Sequence, residues 1–186
     1  MRKTFNVKRV LRIAFFCSFM TLVFIEPSRS SSGSPNSSET AVCFTPGGNC
    51  TDLIVSEIGK AKRTILIQAY SFTSAPIAGA VVEALKRGIK TEVILDKSQK
   101  TEKYSSADYL NHSGVPTFID TKHAIAHNKI IVIDDTTLIT GSFNFTKAAQ
   151  ERNAENLLVI HDPEIISLYQ RNWESHKAHS EEYFKP

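Results

Sequence analysis

Hydrophobic positions between residues 41 and 176 change period repeatedly, and each change predicts an element. Thr64 to Tyr70 (TILIQAY) and Thr91 to Leu95 are short, nearly continuous apolar runs, the pattern of buried strands. Between them Ile77, Val81, Ala84 and Leu85 recur at helical spacing; Ser74 is the cap, Pro76 fits the first turn and Gly88 ends the helix. An earlier helix, capped by Asn49 or Thr51 and running through Lys62, places Ile54, Ile58 and Ala61 on one face. Ser105 to Asn111 and Thr117 to Ile119 repeat the helix–strand order less clearly. Ile130 to Ile133 and Thr136 to Thr140 are both rich in β-branched residues, and Asp134-Asp135 between them is turn chemistry, so this stretch predicts an antiparallel hairpin. A strand from Asn156 to Ile160 and a helix from Pro163 to about His176 follow, the helix turning Ile165, Ile166, Tyr169 and Trp173 inward. The alternation predicts an α/β fold: a mixed β-sheet flanked by α-helices on both faces, with right-handed crossovers.

The beginning of the chain follows different rules. Five basic residues lie within the first twelve, and Ile13 to Ile25 is then apolar apart from one serine and one threonine. A signal core needs about 7–15 apolar residues and a bilayer span about 20, so residues 1–30 are expected to be a signal peptide; the alternative is an uncleaved anchor, with residues 10–25 as a membrane tether. Either form implies export, to the periplasm or beyond it, or to the outer side of the inner membrane. Residues 31–40 form a serine-rich linker without a hydrophobic side chain, and 41–186 is one domain. The first 30 residues hold six basic and one acidic side chain, leaving 16 basic against 18 acidic in 31–186. Whole-domain charge therefore does not attract a polyanion, and any such attraction must be local. Cys43 and Cys50 bracket a turn-forming loop; in an oxidising compartment they pair, and the alternative is two free thiols.

Chemistry concentrates in His127 to Asn144 (HNKIIVIDDTTLITGSFN). His127 and Lys129 are two apart on a strand and share a face, whereas Asp134 lies seven residues from His127 and points away, as a turn or ion-pair residue. Lysine offers a compact positive charge, and Ser142, Asn144 and the unobstructed backbone of Gly141 offer neutral donors; together they suit the oxygens of a phosphate, which an adjacent imidazole can attack. The rival for His127 is a metal site with His123, four residues earlier, as co-ligand; read without a carboxylate or cysteine at ligand spacing beside them, His123 is a rim residue and no metal or cofactor is expected. Lys97, Lys100 and Lys103 follow a strand end, either as a grip on a polyanion backbone or as an ordinary solvated loop diluted by Asp96 and Glu102.

The spacing H-x-K-x4-D-x6-G-S-x-N, at His127, Lys129, Asp134, Gly141, Ser142 and Asn144, resembles the phospholipase D superfamily, whose members cleave phosphodiesters. The run Tyr70-Ser71-Phe72-Thr73, the segment Ile94 to Lys97, Phe143 to Lys147 and Glu155-Asn156 are similar to the small bacterial endonucleases of that superfamily, over about residues 42–180. The resemblance implies a phospholipase D-like fold and a reaction with two histidines, one attacking phosphorus and the other protonating the departing oxygen. With one motif per chain, it further implies a homodimer in which two His127 side chains share one cleft, with Lys129, Ser142 and Asn144 around the phosphoryl group. Glu155 is similar to the acid that contacts the catalytic histidine in those enzymes; the alternative is an exposed edge charge. A nuclease acting on DNA or RNA comes first, because the motif reads without a hydrophobic loop beside it and the serine-rich spacer favours a water-filled groove. A phospholipid hydrolase at a membrane comes second, and a binding protein with a disused site third.

Overall fold

A computed structural model describes residues 40–184; the expected leader and nearly all of the serine-rich linker lie outside the described residues. The apolar runs become β2 (Thr64–Ala69), β3 (Lys90–Asp96), β4 (Thr117–Asp120), β5 (Lys129–Ile133), β6 (Thr137–Gly141) and β7 (Glu155–Ile160). They are joined by an edge strand at each side, β1 (Ala41–Thr45) and β8 (Glu181–Glu182), in one eight-stranded sheet of order β1-β7-β6-β5-β2-β3-β4-β8. Strands β2, β3 and β4 are parallel, linked through α2 (Ala75–Lys86) and α3 (Ala107–His112), and every other pairing is antiparallel.

The strands read as continuous apolar runs because both faces are covered. On one face Ile65, Ile67, Val93, Leu95, Ile131 and Ile139 pack with α2, α3, α1 (Cys50–Lys60) and Ala149 of the short α4 (Lys147–Glu151). On the other, Leu66, Ile94, Phe118, Ile130, Val132 and Leu138 meet Ile166 and Trp173 of α5 (Pro163–Lys177). The Trp173 indole N–H donates to the Ile67 carbonyl at 2.8 Å, which fixes α5 to the sheet and satisfies its one polar atom. Each such side chain contributes about 1.5–3 kcal/mol by leaving water.

Several expectations need adjustment. Helix α1 ends at Lys60 rather than Lys62, and Asn49 holds the cap position without a capping side-chain bond, its amide donating to Asp52 instead. The α5 stripe is narrower than expected: Ile166 and Trp173 are buried but Ile165 is exposed. Strand β1 and helix α4 were not foreseen; one is an edge strand with Val42 and Phe44 exposed, the other is too short to show a helical period. Cys43 and Cys50 form a disulfide that clips β1 to the first turn of α1. Closing so short a loop stabilises by about 2.5 kcal/mol in the chain-entropy picture. No helix among the described residues is long and apolar enough to cross a membrane.

Candidate active site

Register decides which side chains meet. Lys129 pairs with Ala69, Ile130 with Thr140, and Gly141 with Leu157, so the end of β2, the start of β5, the end of β6 and the start of β7 line up along one rim of the sheet, where strands begin and end. Tyr70, His127, Lys129, Ser142 and Glu155 belong to those four ends. The hairpin between β5 and β6 turns through Asp134, Asp135 and Thr136, with Ile133 paired to Thr137 and both aspartates at positive φ (54° and 60°). Asp134 is structural, as its strand parity requires: its carboxylate accepts from the backbone N–H groups of Lys62, Arg63 and Thr64 at 2.7–2.8 Å. Burial pushes that carboxyl up, but the three N–H groups and the Arg63 guanidinium outweigh it and hold the carboxyl below its ordinary value.

His127 is exposed and Lys129 is buried, yet both meet the same ring. Tyr70 packs its ring 4.5 Å, centroid to centroid, from the His127 imidazole, and the Lys129 ammonium stands 5.0 Å from the Tyr70 centroid. The ammonium also donates to the His127 carbonyl at 2.7 Å. Burial lowers the Lys129 pKa to about 8, against the opposing pull of the Glu155 carboxylate. Tyr70 stood in the sequence only as part of a resembling run; its position directly after β2, opposite the start of β5, is what brings it here.

The segment after β6 is held by its aromatic residues. Phe143 and Phe145 are fully buried, and the Phe145 backbone bonds to Ser71, Thr73 and Ser74, so the intervening Asn144 is fixed between two anchors. Among the described residues its side-chain oxygen is buried without a hydrogen-bond partner, so its desolvation is uncompensated by them. Ser142 is exposed; its hydroxyl donates to Glu155 at 2.6 Å and accepts from the Asn156 N–H at 3.1 Å. Asn153 donates to the other Glu155 oxygen at 3.0 Å. Among the hydrogen bonds of the described residues Glu155 thus meets Ser142 and Asn153, and it meets Lys129 electrostatically. Gly141 has φ +149°, and a Cβ there would run into the Asn156 carbonyl oxygen, so backbone approach accounts for the glycine.

The remaining candidates are placed as follows. Lys97 donates to the His123 carbonyl at 3.0 Å, and Lys100 pairs with Glu181 at 3.5 Å; both are exposed. His123 is not merely at the rim, because it hydrogen-bonds Asp120, a carboxylate at ligand spacing three residues before it, contrary to the expectation of none there. Ile125, two residues before His127, is exposed, so the motif does have a hydrophobic neighbour on its loop.

A buried lysine, an exposed histidine and a ring of hydroxyl and amide groups along one rim of a mixed sheet define a site for phosphodiester chemistry. Residues 54–177 match the family model described as the phospholipase D-like domain of cardiolipin synthase, and the chain belongs to the phospholipase D superfamily of phosphodiester hydrolases. It is 43% identical, over 76% of its length and 70% of the relative's, to a phospholipase D of Rickettsia conorii. A mitochondrial cardiolipin hydrolase of Chlamydomonas reinhardtii is 32% identical over 63% of this chain and 52% of its own. The solved structure of Nuc, a phospholipase D family member from Salmonella typhimurium, superposes with a TM-score of 0.75 at 36% identity, covering 79% of this chain and 99% of Nuc.

Proposed function

We propose that the protein is a sequence-nonspecific endonuclease that cleaves DNA or RNA through a phosphohistidine intermediate. One His127 attacks phosphorus, and the partner's His127 protonates the leaving oxygen and then activates the water that releases the phosphate. Lys129 and Asn144 from both subunits neutralise charge building on the phosphoryl oxygens, with Ser142 and Glu155 orienting the site and Gly141 leaving room for backbone contact. The observation that carries this reading is the convergence of His127 and Lys129 on Tyr70, with Ser142 and Glu155 on the neighbouring strand ends. It is supported by the likeness to Nuc over nearly all of Nuc's length. Lys97 and Lys100 extend the site toward a polyanion backbone from the adjoining strand end. The positive charge at the phosphate comes from Lys129, so the chemical step itself calls for no metal ion at the phosphate. The enzyme works as a homodimer after export, either free or tethered through residues 10–25.

A phospholipid substrate is the second reading. It is favoured by exposed Ile125 beside His127 and by the names of the relatives in Rickettsia conorii and Chlamydomonas reinhardtii. Incubating the purified protein with single- and double-stranded DNA, RNA, and vesicles containing phosphatidylcholine or cardiolipin separates the two. Nucleic-acid cleavage that weakens steeply with salt is expected. Headgroup release from vesicles without nucleic-acid cleavage would overturn the nuclease in favour of the lipid hydrolase.

A further inference from the structure

A second cluster lies along the same rim of the sheet, outside the proposed catalytic groups. Asp120 ends β4 and is wholly buried. Around its single oxygen Oδ2 stand three imidazole nitrogens: His176 Nδ1 at 2.7 Å, His123 Nδ1 at 3.0 Å and His179 Nε2 at 3.4 Å. The three rings are 4.8–5.4 Å apart, centroid to centroid. The other carboxylate oxygen, Oδ1, accepts from the Lys122 backbone N–H at 3.1 Å and also lies 3.1 Å from His123 Nδ1, so His123 faces both oxygens while His176 and His179 face Oδ2. A backbone N–H bond of this kind is how ligating carboxylates are usually oriented.

Three imidazole nitrogens crowd one buried carboxylate, and a cation among these groups would take one lone pair from each. We propose that Asp120, His123, His176 and His179 bind one divalent transition-metal ion of the zinc class in a closed, four-ligand structural site. Three imidazoles and one carboxylate suit zinc, cobalt(II) or nickel(II). The four ligand atoms already lie within 4.8 Å of one another. A tetrahedral shell with bonds of about 2.0–2.2 Å sets its ligands roughly 3.3–3.6 Å apart. To reach it the separations of Oδ2 from His176 and His123, 2.7 and 3.0 Å, must open and the longer ones close, a rearrangement shared by Asp120 and the three rings, of which His123 and His179 have side chains 42% and 22% exposed.

The place of the cluster gives the ion its role. The loop 121–128 leaves β4 at Asp120 and runs to β5, delivering His127 near its end. Lys97 already holds its His123 carbonyl, and the Asp96 carboxylate holds its Ala126 N–H at 2.7 Å. An ion bridging Asp120 and His123 to His176 in the last turn of α5, and to His179 just beyond, clips the start of that loop to the helix. The ion would thus be a positioning element for the catalytic loop, with four protein ligands and no coordination place for substrate.

The test uses metal binding and melting rather than turnover, so its outcome is independent of the nuclease reading. Purified full chain is stripped with a chelator, dialysed and titrated with Co²⁺. The expected result is the intense visible spectrum of four-coordinate cobalt, saturating at one equivalent, displaced by Zn²⁺, with a melting temperature that rises as Zn²⁺ is added. His123→Ala and His179→Ala, both at partly exposed positions that tolerate truncation, should lose the spectrum and the melting shift, while His127→Ala keeps both. Absence of saturable binding in the folded wild-type chain overturns the proposal and leaves a hydrogen-bonded histidine–aspartate cluster. Retention of the spectrum by both ligand variants, or its loss in His127→Ala, overturns it as well.

Discussion

Lys129 enters the site as a cation that burial has made easy to discharge, with a pKa near 8 instead of 10.5. If the charged form stabilises the phosphoryl group, activity should fall as pH rises through about 8. Glu155 holds that pKa up, so Glu155→Gln should move the alkaline limb of a pH–rate profile to lower pH, and an unmoved limb would assign it to another group. The sign for stability is opposite. Below about 8 both folded and unfolded states carry the Lys129 proton, and between 8 and 10.5 the unfolded state binds more, so this residue's burial penalty is relieved as pH rises. Asp134 behaves in the usual carboxylate sense: its folded pKa is lowered, and the stability it contributes is present above 3.8 and lost as pH falls through the folded value. Asp134→Asn keeps the shape but turns an amide N–H₂ toward a backbone donor. It should cost about 1–3 kcal/mol in a denaturant titration and leave turnover at low temperature nearly unchanged.

At the scale of elements, the hairpin β5–β6 and its neighbour β7 carry the site, and their contact is tightest at Gly141. Gly141→Ala combines an unfavourable φ with a Cβ against the Asn156 carbonyl, and it should destabilise by about 3 kcal/mol. Activity of the folded fraction should fall too, because Ser142 and Phe143 take their backbone bonds from that same carbonyl. Thermal melting combined with activity per folded molecule separates the two effects. The hairpin was legible in the sequence because strand parity and turn chemistry are local properties; the same parity marked Asp134 as structural before any contact was known. The stripe of α5 was less legible. Ile165 and Ile166 are adjacent in sequence, and only docking on the sheet decided that Ile166 is buried while Ile165 faces solvent.

For the whole molecule, the proposed two-histidine mechanism with one motif per chain requires a composite dimer. If that proposal holds, a tagged heterodimer of wild-type and His127→Ala subunits has a single imidazole in its cleft and should turn over far below half the wild-type rate. A rate near half would mean that each subunit works alone.

The sequence by itself determined the α/β class and the order of the principal elements, because both are written in spacings of a few residues that backbone geometry converts directly into shared faces; it offered the Cys43–Cys50 pair beside the alternative of two free thiols, and the phosphodiester-cleaving motif was legible through its resemblance to a family. Tertiary structure decided what depends on distance across the sheet. Register brought Tyr70 against His127 and Glu155 beside Ser142, and burial lowered the Lys129 pKa. The return of α5 set His176 and His179 against Asp120, 56 and 59 residues away in the chain. No local period encodes such meetings; they exist only once strand order and helix docking have closed the gaps between segments.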